Sequence, residues 1–168
     1  MGTRTAREDP LKVFRYRISI GGSVYGFSEC SALEAETDVV EYREGGDNDT
    51  PKKSAGLTKY TDLTLKRGQK DPTEGGSDVL AAWHEQVMSM KRSGGNDPNV
   101  TSYRREVVIT QMNALNQPAR EWTVSQAFPK KYKATSDLTG TGNADSIEEL
   151  TLAHEGFESS ASFAPAGI

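Results

Sequence analysis

Sulfur, imidazole and long apolar runs are all scarce in this chain. Its 168 residues include one cysteine and two histidines. With Cys30 alone, no disulfide can form within the chain. Neither a Cys-x-x-Cys nor a His-Glu-x-x-His spacing occurs, so a zinc site has no pattern to start from. No stretch approaches the roughly 18 apolar residues of a membrane-crossing helix, so we expect no membrane insertion by this chain. The opening Met1–Pro10 lacks the apolar core of a secretory signal, and synthesis in the cytoplasm is expected. Positive charge is also short: 20 Lys and Arg face 24 Asp and Glu, a net charge of -4. A protein built to grip nucleic-acid phosphates needs a basic face, so sequence-specific DNA or RNA binding is not expected.

What the sequence does contain is alternation. In Lys12 to Ile20, the residues Phe14, Tyr16, Ile18 and Ile20 fall on one side and Arg15, Arg17 and Ser19 on the other. That period of two marks a strand with one buried and one wet face. Gly21-Gly22-Ser23 then reads as a hairpin turn into Val24-Tyr25. Leu33 to Glu44 is a strand with polar residues on both faces and therefore no core side. Gly45 to Gly56 reads as a long exposed loop, and strand character returns over Lys59 to Arg67 through Leu63 and Leu65. Tyr103 to Met112, Arg120 to Phe128, Lys130 to Lys133 and Ser146 to His154 complete the strands, with Pro129 as an interruption. One helix is expected, capped by Ser77 and closed by Gly94-Gly95, with Leu80, Trp83, Val87 and Met90 as its apolar stripe. Seven or eight strands and one helix predict a mainly β protein, a β-barrel or two-sheet sandwich of antiparallel strands with one flanking α-helix. We expect one domain over residues 12–157, with flexible segments at 1–11 and 158–168.

Chemistry is hard to find among these residues. His84 beside Trp83 and His154 at the end of the last strand are isolated. Cys30 lies in a β run where a lone cysteine serves as a small packing residue. Gly140-Thr141-Gly142 does not continue into a dinucleotide fingerprint. Glu148 and Glu149 are strand neighbours, so they point to opposite faces and cannot form a carboxylate pair. No catalytic residue, metal ligand or cofactor is expected. The wet face carried by nearly every strand leaves strand edges that must be managed, and identical subunits can manage them by joining sheet to sheet. A small-ligand-binding β-barrel of the lipocalin kind is the alternative, and it requires an apolar cavity inside one subunit.

Several segments resemble, in order, the tube proteins of contractile tails. They are Phe14-Arg15-Tyr16-Arg17-Ile18-Ser19-Ile20-Gly21-Gly22, Gly26-Phe27-Ser28-Glu29-Cys30-Ser31-Ala32-Leu33-Glu34-Ala35-Glu36, Glu41-Tyr42-Arg43-Glu44-Gly45-Gly46 and Leu63-Thr64-Leu65-Lys66-Arg67-Gly68. The Trp83 helix, Trp122 to Pro129, and Ile147 to Gly156 continue the series. The family is that of phage tail tube proteins and the inner tube proteins of extracellular contractile injection systems, related to hemolysin-coregulated protein of type VI secretion. The resemblance implies hexameric rings that stack into a hollow tube carrying effector protein or DNA as cargo in its lumen. It implies a sheath protein, a baseplate and spike, and a tail terminator as partners, in a phage tail or contractile injection particle. It also implies that the segment Glu44-Gly45-Gly46-Asp47-Asn48-Asp49-Thr50-Pro51-Lys52-Lys53-Ser54-Ala55-Gly56-Leu57-Thr58 reaches toward the adjacent ring.

Overall fold

A computed structural model describes residues 10–43, 45–46, 51–71, 78–94 and 102–160. Along the chain, β1 is Tyr16–Ile20, β2 Ser23–Tyr25, β3 Glu29–Cys30, β4 Ala35–Tyr42, β5 Lys52–Tyr60 and β6 Leu63–Gly68. Helix α1 is Val79–Arg92, followed by β7 Arg105–Met112, β8 Pro118–Lys133, β9 Ile147–Ala153 and β10 Gly156–Ser160. All pairings are antiparallel. The main sheet runs β2-β1-β7-β8-β9-β6-β3 with β10 also on β8, while β4 and β5 form a separate two-stranded ribbon.

The protein is mainly β with one helix, but the expected barrel does not close. The sheet order ends at β2 on one side and β3 on the other, and edges of this kind are what a closed barrel would remove. The two halves of the sheet share the 16-residue strand β8. Its first part pairs with β7 and β10, and its second part with β9.

Alternation builds the core. Ile18 and Ile20 from β1, Leu63 and Leu65 from β6, Val107 and Ile109 from β7, and Leu150 and Leu152 from β9 converge with Val124 and Ala127 of β8. Leu80 and Trp83 bring α1 onto this cluster, and the Trp83 indole N–H donates to the Tyr103 carbonyl at 2.6 Å. Between β1 and β2, Gly21 and Gly22 take φ of +57° and +89°, which a two-residue hairpin loop requires at both positions.

Several sequence expectations are corrected here. Phe14 is not on the buried face: β1 starts at Tyr16, and Phe14 is exposed in the preceding turn. Lys59 to Arg67 is two strands, broken at Thr61-Asp62 where the chain leaves the ribbon. On α1, Asp78 takes the N-cap position without a side-chain cap bond; Ser77 and Gly95 lie outside the described residues. Gly94, at φ +63°, stands just past the helix end, where a left-handed residue stops the helix. Pro129 does not interrupt β8; it is buried within it, at a register shift that spares the missing N–H. Gln126, at φ +55°, inserts an extra residue opposite β7. The inward face therefore passes from Val124 to Ala127 and Pro129, leaving Phe128 on the other side and only half-buried. Finally, the strand pairing extends past 157: Glu158, Ser159 and Ser160 pair with Thr123, Trp122 and Glu121. Of the tail, only 161–168 lies outside the described residues.

Candidate assembly interface

The β4–β5 ribbon is the part of the molecule that its own core does not explain. Every residue of β4 is exposed, and in β5 only Gly56 is partly covered. The ribbon nevertheless carries Val39, Val40, Tyr42 and Leu57, with Leu57 76% exposed. An isolated two-stranded ribbon is marginal in water, and these apolar side chains form an exposed patch that packing within the subunit does not explain.

Its local geometry is regular apart from one bulge. Glu36 faces Lys59, Thr37 faces Thr58, Glu41 faces Lys53 and Tyr42 faces Lys52. Thr37 and Thr58 hydroxyls hydrogen-bond at 2.9 Å, and Lys59 pairs with Asp38 at 2.9 Å. Between Thr37 and Val39 the register shifts so that β5 spends one extra residue. Gly56 sits at that bulge because a Cβ there would come within 2.9 Å of the Asp38 carbonyl oxygen and 3.2 Å of Val40 Cγ2. The long loop expected over Gly45 to Gly56 is therefore shorter than the polar composition suggests. Lys52 to Gly56 are strand, because the polar residues of β4 supply cross-strand partners for them. Within the segment Glu44 to Thr58, residues Lys52 to Thr58 form one arm of the ribbon, and Gly45-Gly46 form a turn. Glu44, Asp47, Asn48, Asp49 and Thr50 lie outside the described residues.

An aromatic cluster fixes the ribbon's base to the sheet. The Thr61 amide donates to Glu34 at 3.1 Å, and His154 Nε2 lies 2.9 Å from the Thr61 carbonyl. Tyr60 packs against His154 and Phe157, with ring centroids 5.8 and 5.9 Å apart. The Tyr60 ring lies over Gly156, where a Cβ would approach it to 3.3 Å. Lys130–Asp62 and Arg104–Glu155 ion pairs flank the same corner. Sequence reasoning missed this anchor, since nothing in local alternation joins residue 60 to residues 154–157.

The chemically interesting side chains sit apart from one another. The Cys30 thiol, held against the Ser31 carbonyl, is pushed up to about 11 by burial, so it is a thiol at neutral pH. His84 stacks on Tyr132 with centroids 5.8 Å apart. Among the described residues no group of three His, Cys, Asp or Glu is placed to hold a metal ion, and no helix is long and apolar enough to cross a membrane. An apolar pocket of about 230 Å³ is lined by Cys30, Leu33, Ile109, Trp122 and Phe157. That is smaller than the roughly 300–1,000 Å³ of small-molecule sites, and the larger clefts of about 460 and 580 Å³ are bordered by Lys91, Arg92 and Lys130 and by Arg67, Lys70 and Asp145, unlike the apolar interior that a ligand-binding barrel requires.

The family described as T4-like virus tail tube protein gp19 matches residues 12–158 of the chain. Among curated proteins, none matches. The fold is shared with a chain of the anti-feeding prophage (AFP) tube-terminating cap, at a TM-score of 0.76 and 20% identity over 95% of this chain and 97% of that one. A chain from the sheath/tube terminator of PVC, an extracellular contractile injection system, superposes at a TM-score of 0.73 and 25% identity, covering 93% of this chain and 100% of that one. A more distant likeness is Hcp1 from Flavobacterium johnsoniae, with a TM-score of 0.50 and 14% identity over 88% and 96% of the two chains.

Proposed function

Because the chain belongs to the T4-like virus tail tube protein gp19 family, we propose that its copies close into hexameric rings and that the rings stack into a hollow conduit. The protein is a structural tube subunit, and the ligand-binding barrel is not favoured. The observation that carries the finer reading is the ribbon: beyond Tyr60 at its base, β4 and β5 leave Val39, Val40, Tyr42 and Leu57 exposed in the subunit. In a ring, neighbouring copies cover those faces and continue the open sheet. The segment from Glu44 to Thr58 extends along the tube axis and contacts the adjacent ring. A surrounding sheath, a baseplate with its spike, and a terminator at the tube end are the protein partners. Effector protein or DNA is the lumen cargo, and assembly from cytoplasmically made subunits yields a phage tail or injection particle. No bond-making chemistry is required of any residue.

Shortening the ribbon's tip tests the stacking role. Deletion of Asp47 to Thr50 removes none of the paired β4–β5 residues. Negative-stain images of this variant are expected to show separate rings where the unaltered chain gives stacks. Stacks of unchanged length would overturn the assignment of that segment to ring-to-ring contact.

A further inference from the structure

Charge is segregated along the ribbon by strand. β4 carries Glu36, Asp38 and Glu41 and no basic residue, while β5 carries Lys52, Lys53 and Lys59 and no acidic one. Each strand has one edge engaged with the other, and β4 and β5 make no ladder with the main sheet. Within the ribbon these charges oppose one another, Lys59 lying 2.9 Å from Asp38 and Lys53 3.8 Å from Glu41, while the outer backbone edges of an acidic β4 and a basic β5 have no ladder partner among the described residues. Unpaired strand edges are templates for another strand, and the charges decide which strand is welcome.

The molecule already contains the arrangement these edges call for. Across β3, β6, β9 and β8 the register places Glu29 beside Lys66, Lys66 beside Glu149, and Glu149 beside Lys133. Lys66 Nζ lies 3.1 Å from Glu29 Oε2. Neighbouring antiparallel strands on this wet face alternate in sign. Opposite charges placed across strands stabilise pairing and like charges oppose it.

Resting on the tube reading above, we propose that the ribbon is the directional joint of the ring, with the acidic β4 edge of one copy lying against the basic β5 edge of a second copy. Ribbons that all point along the tube axis place β4 and β5 of adjacent copies antiparallel, the same sense as the pair within one ribbon. The joint uses two different edges, so it is heterologous, and a heterologous contact closes into a ring when its rotation divides the full turn. A reversed neighbour would set acid against acid or base against base. Charge therefore selects a single handed order of subunits and excludes face-to-face dimers.

Charge exchange with native mass spectrometry tests the joint. Variant one carries Glu36→Lys, Asp38→Lys and Glu41→Lys; variant two carries Lys52→Glu, Lys53→Glu and Lys59→Glu. Each alone is expected to lose the ring species, and mixing the two is expected to restore rings of alternating composition. A third variant combines all six changes, which preserves the cross-strand opposition inside the ribbon and so keeps folding out of the question. It is expected to form rings by itself, but to form none that include the unaltered chain. Rings of random composition from that last mixture, or undiminished rings from either three-site variant alone, would overturn the joint. Failure of the six-site variant to assemble at all would do the same. An unaltered chain that stays monomeric in these spectra, with no ring for any mixture, would instead remove the tube reading and the joint with it.

Discussion

Arg67 and Glu148 are buried to within 6% and 5% exposure, facing each other across β6 and β9. The Arg67 guanidinium donates from Nε to Glu148 Oε1, and the Tyr132 hydroxyl donates to Glu148 Oε2 at 2.9 Å. A buried carboxylate between two donors is strongly specified, and breaking such a pair costs about 3–5 kcal/mol. Glu148→Ala is expected to lower the unfolding free energy read from urea titration by an amount in that range while leaving the ribbon intact. The same network has an alkaline signature. Burial, then the hydrogen bond to Glu148, pushes Tyr132 up to about 12 from an ordinary value of 10.0. A raised folded-state value means the stabilisation is whole below pH 10 and is lost as pH climbs through about 12. Tyr132→Phe is expected to flatten the fall in stability over that window, read from unfolding curves at successive pH values. A slope identical to that of the unaltered chain would contradict the assignment. Alternation in Ile147 to Ala153 already puts Glu148 and Glu149 on opposite faces. That Glu148 takes the inner one with Arg67 was not legible, because Arg67 and Glu148 are 81 positions apart.

At the scale of elements, periodicity was legible wherever a strand has one wet face and one dry face. Ile18 and Ile20, Leu63 and Leu65, and Leu150 and Leu152 sit where a period of two puts them. Legibility failed at three kinds of place. The Gln126 bulge reverses the facing of β8 halfway along, and no residue type announces a bulge built on glutamine. β5 looks like loop because all nine of its residues are small, polar or exposed, and its partner strand rather than a core holds it extended. The ribbon's aromatic base depends on a contact between distant segments. Gly56 offers a clean perturbation of the ribbon alone. Gly56→Val places a branched side chain against the Asp38 carbonyl and Val40, on an element that shares no core residue. The expected result is an unchanged thermal midpoint for the subunit with loss of assembly, checked by calorimetry and sedimentation together. A variant that assembles normally would show that the ribbon's bend is dispensable.

For the whole molecule, the open order from β2 to β3 and the projecting ribbon make one polypeptide an incomplete object. Its core of aliphatic side chains and Trp83 stabilises the subunit, while Val39, Val40, Tyr42 and Leu57 are exposed. Individual exposed ion pairs contribute only about 0–1 kcal/mol, so no single contact holds a tube together. In the proposed ring each copy is held on two sides, so release requires breaking both contacts. Of this, the family and the mainly β fold were readable from ordered motifs, whereas the separation of the ribbon from the sheet appears only in three dimensions. The most direct measurement is a high-resolution cryo-electron microscopy map of assemblies grown from the purified chain. The account predicts six-fold rings in which both outer edges of every β4–β5 ribbon are hydrogen-bonded to neighbouring copies. A map in which the ribbons stand free of neighbouring strands, and subunits meet through other surfaces, would contradict it.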